Sequence, residues 1–441
     1  MHVKLILPSF YNEYGTLVKS KKVFVPCVTI RYLAAMVPPQ HRVSVLEESV
    51  QEINFDEPVD LVGISVQTFS VERAYDIAAE YRKRGITVVL GGIHVTAVPD
   101  EAEPHADAIV VGEAEETWPQ LIRDFENKAL KKRYQTTEKV SLVNLPFPRF
   151  DLLDPTKYVR PSSNALPLIP IQTGRGCSHD CDFCATTKFY GDKIRHRPIG
   201  DIIEEIKRSK TDTFFFVDDN LTADHNWARE FFTAIKPLGI KFHCQMDTLL
   251  HHKPELVEMA AQSGCFHCYV GFESHDPQVL KSVNKRFNQP EQYKEVFRVL
   301  YKNDIACYAS FIVGFDNDSF EGIDYTVQFL VEQKAGFAAF FPLCPFPGTP
   351  LHARLKASGR LFFDDWWLHK REMREKMNHT GIKYADGQIP GYVLTRRALN
   401  SFYSYPSIAR RFWPPKKNTM FSFLANVNIH HRLGKSFLDV L

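Results

Sequence analysis

No run of apolar residues in this sequence approaches the roughly 20 needed to cross a bilayer as a helix, so an integral membrane segment is not expected. Excess charge is missing too. Lys and Arg total 54 against 52 Asp and Glu, a formal net charge of +2, which argues against a nucleic-acid binder that works mainly by neutralising phosphates. No nucleic acid is expected, and the partner is small or apolar. Compositional extremes are absent as well: 44% hydrophobic and 24% charged residues exclude disordered, fibrous and coiled-coil chains. The opening stretch, MHVKLILPSFYNEYG, lacks the layout of a secretory signal and reads as a first β-strand. Nine Cys without such a signal point to a reducing compartment, where thiols bind metals, catalyse or fill space. A cytoplasmic location is therefore expected.

At 441 residues the chain exceeds the usual size of one domain. Its first part alternates short apolar runs (VKLILPS, RVSVLEE, LVGISV, TVVLGG, AIVVG) with amphipathic segments such as VERAYDIAAEYRKRG. That alternation implies parallel βαβ units, hence a doubly wound, Rossmann-like α/β sheet of five strands over residues 1–133. Residues 134–165 are rich in Pro and polar residues and read as a linker. A second series follows over 166–360: LPLIPIQTG, DTFFFVDD, KFHCQMD, CFHCYVGFE, IACYASFIVGF and FAAFFPLCPF. Six βα units are too few for a full eight-stranded barrel and fit a partial (β/α)6 TIM-type barrel. The tail, 361–441, mixes helical, basic and aromatic features (WW, RRFWPPKK, HHR). It reads first as a helical cap over the barrel, and second as a surface for a membrane or a lipid-like substrate.

The string GRGCSHDCDFCATTKFYG follows the first barrel strand, which puts Cys177, Cys181 and Cys184 at the face where barrels collect their active sites. Three closely spaced thiolates can bind three irons of a cubane and leave the fourth open. A zinc site, a disulfide cluster and unrelated thiols are the competing readings. Structural zinc sites usually pair two ligands with two others, and His179, between the first two Cys, is awkwardly placed as a fourth.

The CxxxCxxC spacing of CSHDCDFC resembles the radical S-adenosylmethionine (SAM) superfamily. The resemblance implies a [4Fe-4S] cluster on Cys177, Cys181 and Cys184 whose open iron chelates SAM, with reductive cleavage giving a 5′-deoxyadenosyl radical. Phe183, just before the last Cys, matches the family residue that contacts the adenine. FFFVDDNLT resembles a family segment that places Asp218, Asp219 and Asn220 near SAM or substrate; a plain Asx turn and helix N-cap is the alternative, above all for Asn220. YVGFES resembles the segment whose Glu contacts SAM, here Glu273. FIVGF with Gly314 and CPFPGTPLH with Pro347 and Gly348 resemble the fifth and sixth strand segments near the adenine and barrel rim, although either Gly could serve a turn.

The first 130 residues look like the cobalamin-binding domain that precedes many radical SAM barrels. Ser65 and the Gly91-Gly92 pair stand at strand ends, where doubly wound sheets hold ligands and where that fold holds the cofactor's nucleotide tail. The loop LPSFYNEYG has no DxHxxG, so the His that ligates cobalt in many cobalamin domains is absent. Tyr11 or Asn12 is then a candidate for the lower side of the corrin. A vestigial or interaction domain is the competing reading.

Cys244, Cys265, Cys268, Cys307 and Cys344 fall on or beside barrel strands and are expected to pack as small hydrophobes. Alternation along CFHCYVGFE points His267 and Tyr269 inward and Cys268 outward. The phenylalanine-rich FFF at 214–216 and FAAFF at 337–341 suggest room for an apolar substrate. The leading expectation is an enzyme that methylates an unactivated carbon with cobalamin and SAM, served by a flavodoxin- or ferredoxin-type reductant. The alternatives are a radical SAM enzyme without cobalamin, which rearranges, cyclises or transfers another SAM fragment, and a non-catalytic iron–sulfur protein.

Overall fold

In the computed structural model of the chain, residues 1–12, 14–136, 138–159, 167–369, 372–373, 380–413 and 420–433 are described. The first sheet comprises β1 (His2–Leu7), β2 (Arg42–Glu47), β3 (Leu61–Ser65), β4 (Thr87–Gly91), β5 (Ala108–Val111) and β6 (Arg133–Gln135), all parallel in the order β2-β1-β3-β4-β5-β6. Six strands, not the expected five, complete it. The sixth is only three residues long, drawn from the charged run KKRYQ without an alternating pattern, and it pairs along Ile109–Val111 while Tyr134 packs inward. Helices α1 (Val28–Ala35) and α3 (Thr117–Glu126) cover one face and α2 (Val71–Lys83) the other. Covering on both faces is why β1, β3 and β4 are nearly continuous apolar runs. Helix α2 buries Ala74, Tyr75, Ile77, Ala78 and Tyr81 and turns Glu72, Arg82 and Lys83 toward its ends.

The second sheet is built from β7 (Ile169–Ile171), β10 (Thr213–Phe216), β11 (Lys241–Met246), β12 (Cys265–Glu273), β13 (Ala306–Val313) and β14 (Phe337–Pro342). Each parallel strand lies beside its predecessor, as an open partial barrel requires. A small antiparallel pair, β8 (Gly174–Arg175) with β9 (Arg195–His196), is inserted after β7. Helices α4 (Ile199–Arg208), α5 (His225–Ile235), α6 (Pro254–Gln262), α7 (Tyr293–Lys302) and α8 (Phe320–Glu332) form the outer layer.

Alternation sorts the strand residues. Phe214, Phe216, Phe242, Phe272 and Phe340 join the core under the helices, and the intervening Phe215, His243, His267, Tyr269 and Tyr308 turn to the other face. The phenylalanine-rich strands therefore offer a substrate less than the sequence suggested, because half of those rings, Phe214, Phe216 and Phe340, seal the outer layer. Cys244, Cys265, Cys268 and Cys307 share that layer, with Cys244 and Cys265 sulfurs 3.7 Å apart. Cys268 thus faces outward, as expected.

The tail does two jobs. Trp366 and Trp367 are buried against the first sheet's α2 core; Trp367 donates to Glu101 (2.6 Å) and Trp366 to the Pro345 carbonyl (3.0 Å). Farther on, α9 (Gly391–Phe402), α10 (Tyr405–Phe412) and α11 (Met420–Leu433) cover the β14 side of the barrel, where the Tyr403 hydroxyl accepts from Ala338 N and donates to Ala338 O. Arg411, one of the tail's basic residues, is 3% exposed and donates to the carbonyls of Ala335 and Phe402 and to Asn426. No helix among the described residues is long and apolar enough to cross a membrane. The RRFWPPKK string lies partly outside the described residues.

Candidate functional site

The cysteine loop leaves β8 through Gly176, whose φ of +97° and backbone crowding admit no side chain: a Cβ there would stand 2.4 Å from the Lys193 carbonyl. The loop is then fastened to the helical segments that follow β12 and β14. Asp182 N donates to Val283 O (3.0 Å), Asn284 to Asp180 O (2.7 Å) and Leu351 N to Asp182 O (3.0 Å). Cys181 is buried, and Cys177 and Cys184 are half-buried. Burial pushes the Cys181 thiol up to about 12 and the Cys177 thiol upward, and the Lys285 ammonium acts against both shifts. Phe183 packs in the apolar cluster with Val283 and Leu351, 5.9 Å below the Lys285 ammonium.

Asp218 and Asp219 follow β10. Asp218 is buried and accepts from Thr173 N (3.1 Å) and Thr173 Oγ1 (2.9 Å); burial raises its carboxyl to about 7 against those bonds. Asp219 accepts from Thr186 (3.0 Å) on the far side of the cysteine loop, and burial raises it too. Asn220 accepts from Thr222 N and donates to Asp247 (2.8 Å), whereas the N-cap of α5 is Asp224. The N-cap reading of Asn220 is thereby corrected.

Glu273 ends β12 in the left-handed region, at φ +65°, one residue past a register shift. That costly backbone is held by two side chains: Asn288 donates to the carbonyls of Gly271 (2.9 Å) and Phe272 (2.8 Å), and the Tyr293 hydroxyl shares its proton between those of Phe272 and Ser274. The buried carboxylate pairs with Lys285. Burial opposes the charge on Lys285, but Glu273, Cys181 and Cys184 together hold its pKa above the ordinary value.

Sequence reading missed Lys285 and Asp247. Asp247, after β11, accepts from His179 (2.8 Å) and Asn220; burial opposes its charge, but these donors hold its carboxyl low. His179 also stacks on Phe287 at 3.8 Å, so its imidazole is engaged away from the thiols. The available signal was position: Asp247 stands at a strand end, like Asp218 and Glu273. Gly314, at φ +100°, packs where a Cβ would meet Gly391 Cα (2.8 Å) and the Tyr384 hydroxyl (3.0 Å), so contact with the C-terminal extension accounts for that glycine. Gly348 faces Ala97 of the first domain, and Pro347 precedes it.

A cavity opens beside the strand ends of the first sheet, lined by Gly63, Ser65, Gly91, Gly92, Trp118 and Arg175, among others. Small residues keep it open. A Cβ on Gly63 would come 2.8 Å from Leu5 and 3.2 Å from Trp118, and one on Gly92, at φ +104°, would meet the Val66 backbone at 2.8 Å. Leu145, Pro146 and Pro148 form part of the wall, so the expected linker doubles as a cover for this cavity. Tyr11 and Asn12 are not among its lining: Tyr11 donates to Asp76 (2.7 Å) and Asn12 accepts from Tyr14 N and Thr16 N.

Comparison with known proteins decides between the readings of this pair of sites. The Radical SAM superfamily profile matches residues 171–330 and the B12 binding domain profile residues 20–122. The bacteriochlorophyllide d C-8(2)-methyltransferase of Chlorobaculum tepidum is 32% identical over 409 residues, 87% of either chain. The chain belongs to the B12-binding group of the radical SAM superfamily. Hopanoid C-2 methylase of Rhodopseudomonas palustris is a more distant relative of this radical SAM enzyme, 26% identical over 82% of the chain and 71% of that protein. The solved structure of the methyltransferase TsrM from Kitasatospora setae, bound to tryptophan and a SAM analogue, shares the fold with a TM-score of 0.64 at 14% identity, over 96% of this chain and 95% of that one.

The radical SAM site fits its cofactors. No three His, Cys, Asp or Glu side chains among the described residues converge as one metal ion would require, and a cubane does not need them to, since each thiolate binds a different iron. Carboxylates at strand ends suit the cationic SAM. On the B12 side, the glycine-walled cavity between sheet and helices suits a flat, apolar base at the end of a cobalamin tail.

Proposed function

We propose that this radical SAM enzyme is a cobalamin-dependent methyltransferase that places a methyl group on an unactivated carbon of a small or apolar biosynthetic substrate. The observation that carries the reading is the pairing, on one chain, of a three-cysteine loop at the barrel's strand ends with a glycine-walled cavity at the strand ends of a B12-binding sheet. When bound, the cluster and SAM supply a 5′-deoxyadenosyl radical and cobalamin supplies the methyl group.

In this reading Cys177, Cys181 and Cys184 hold three irons and leave the fourth to SAM. Phe183 lies along the adenine. Asp218, Asp219, Asn220 and Glu273 orient SAM, with Glu273 fixed by Lys285 and Asn288. Gly314 supports the adenine rim indirectly, through its packing on Gly391. Ser65, Gly91 and Gly92 line the slot for the cobalamin tail. The substrates for which these relatives are named, a bacteriochlorophyllide and a hopanoid, suggest an extended apolar ring system. Tyr269 and Tyr308, with rings 5.1 Å apart on the inner face of β12 and β13, offer an aromatic surface for it. The reading includes a cytoplasmic location, a flavodoxin- or ferredoxin-type reductant, no nucleic acid, and peripheral membrane contact through exposed Trp413 and Leu424 of the tail.

Anaerobic reconstitution with iron, sulfide and hydroxocobalamin tests this. A corrin absorbance that stays with the protein through gel filtration is the expected result; a protein that takes up iron and sulfide but no corrin contradicts it.

A further inference from the structure

Two residues ahead of Cys177, Arg175 is 7% exposed and reaches out of the barrel into the first domain. Its guanidinium contacts Glu113 (2.8 Å) and Glu115 (2.6 Å), both in the turn that follows β5. Arg195, its register partner across the β8–β9 pair, contacts both oxygens of the same Glu113 at 3.0 Å. Glu113 also accepts from Val140 N (3.1 Å) of the linker, and Arg195 donates to the Val140 carbonyl (2.7 Å). The strand end of the B12-binding sheet, the linker and the root of the cysteine loop are thus joined at one buried point.

Stability alone is a weak reason for such an arrangement. Buried ion networks can often be replaced by apolar contacts without loss, because desolvating the charges offsets their attraction. Position is more informative. Glu113, Glu115 and Arg175 all line the glycine-walled cavity, and there the buried Glu115 Oε2 makes no well-formed hydrogen bond, its neighbour being the equally buried Tyr32 hydroxyl. A buried acceptor of this kind takes a donor from whatever fills the cavity. The cobalamin tail is joined to its ring through an amide, and that N–H, reaching Glu115 in place of the Tyr32 hydroxyl, would weaken the carboxylate's hold on Arg175.

We propose that Arg175 is a positioning residue through which occupancy of the cobalamin cavity is felt at the cluster loop, with Glu115 as the sensor and Glu113 as the fixed anchor. This inference rests on the cobalamin reading above. Gly176, crowded against Lys193, leaves little slack between the guanidinium anchor and Cys177, so a change in pairing at Glu115 is transmitted to the first cluster ligand rather than absorbed.

Mössbauer spectra of the iron-reconstituted full chain, with SAM bound, test the inference when recorded with and without hydroxocobalamin. In the wild type, cobalamin is expected to shift the cluster parameters. In Glu115→Gln, which keeps an oxygen for Arg175 and leaves the Glu113 contacts intact, the expected shift, read at saturating hydroxocobalamin with the bound corrin counted by absorbance, falls to less than half. Arg175→Lys, which keeps the charge and loses the fork, should lose the shift as well. Two results overturn the inference: a wild-type cluster indifferent to cobalamin, or variants that keep the full shift. A wild type that binds no corrin is a different failure, visible in its absorbance, and it removes the cobalamin reading together with this inference.

Discussion

The two sheets present ligands at the same place, beyond the carboxyl ends of parallel strands, yet they do so by opposite means. In the first sheet the ends of β3 and β4 are bare, with Ser65, Gly91 and Gly92 offering little side chain, and the carboxylates beyond β5, Glu113 and Glu115, are taken up by Arg175 and Arg195, so the site is chiefly a shape. In the barrel the strand ends are loaded: Asp218, Asp219, Asp247 and Glu273, with Lys285 and three thiols, make the site a charge distribution. A bare site suits a large, mostly neutral cofactor whose own ring supplies the contacts. A loaded one suits a small cation and a metal cluster, which have to be held against water.

Substitutions that break one half and spare the other are the way to test that contrast. The largest effect is expected from Cys181→Ala, which should abolish formation of 5′-deoxyadenosine by the reconstituted, dithionite-reduced enzyme while leaving corrin binding unchanged by absorbance. Next comes Lys285→Met, which strands the buried Glu273 carboxylate. Denaturant unfolding should show a loss of about 3 kcal/mol, and the double change with Glu273→Gln should recover part of it, because the cost lies in the unpaired charge.

Gly92→Ala acts on the other half. It forces a side chain into φ +104° against the Val66 backbone, which should cost about 2 kcal/mol and reduce corrin retention several-fold, with deoxyadenosine formation by cobalamin-free enzyme unaffected. The smallest effect concerns pH. Burial pushes the native Asp218 carboxyl up to about 7, against 3.8 for the free group, so between those values the folded chain holds a proton that the unfolded chain has released. Stability therefore falls as pH rises through this window, by about 1 kcal/mol from pH 6 to 7. Asp218→Asn should flatten that slope in paired unfolding curves.

The same contrast explains what could be read in the sequence. A loaded site leaves side chains in the string. CSHDCDFC, FFFVDDN and YVGFES each put chemistry at a strand end, and the structure brings the last two within reach of the cysteine loop through Thr173, Thr186 and Lys285. A bare site leaves only glycines, which also serve turns, so Gly91-Gly92 pointed to a cavity without describing it, and Gly63 passed unnoticed. Asp247 and Arg175 were missed because each matters through a partner far away in the chain, His179 and Glu115, and Lys285 because it lies in a loop 12 residues past Glu273 with no pattern to pair them. The sixth strand escaped because edge pairing, not hydrophobic pattern, makes β6 a strand.

The most direct measurement follows the fate of SAM in the enzyme loaded with cluster and cobalamin under reducing conditions, by chromatography of its products. Two sites predict two products, 5′-deoxyadenosine from the barrel and S-adenosylhomocysteine from remethylation of cobalamin, with Cys181→Ala removing the first and limiting the second to one equivalent per bound corrin. Deoxyadenosine alone from corrin-loaded enzyme, or methylthioadenosine in place of both, would contradict methyl transfer through the first domain.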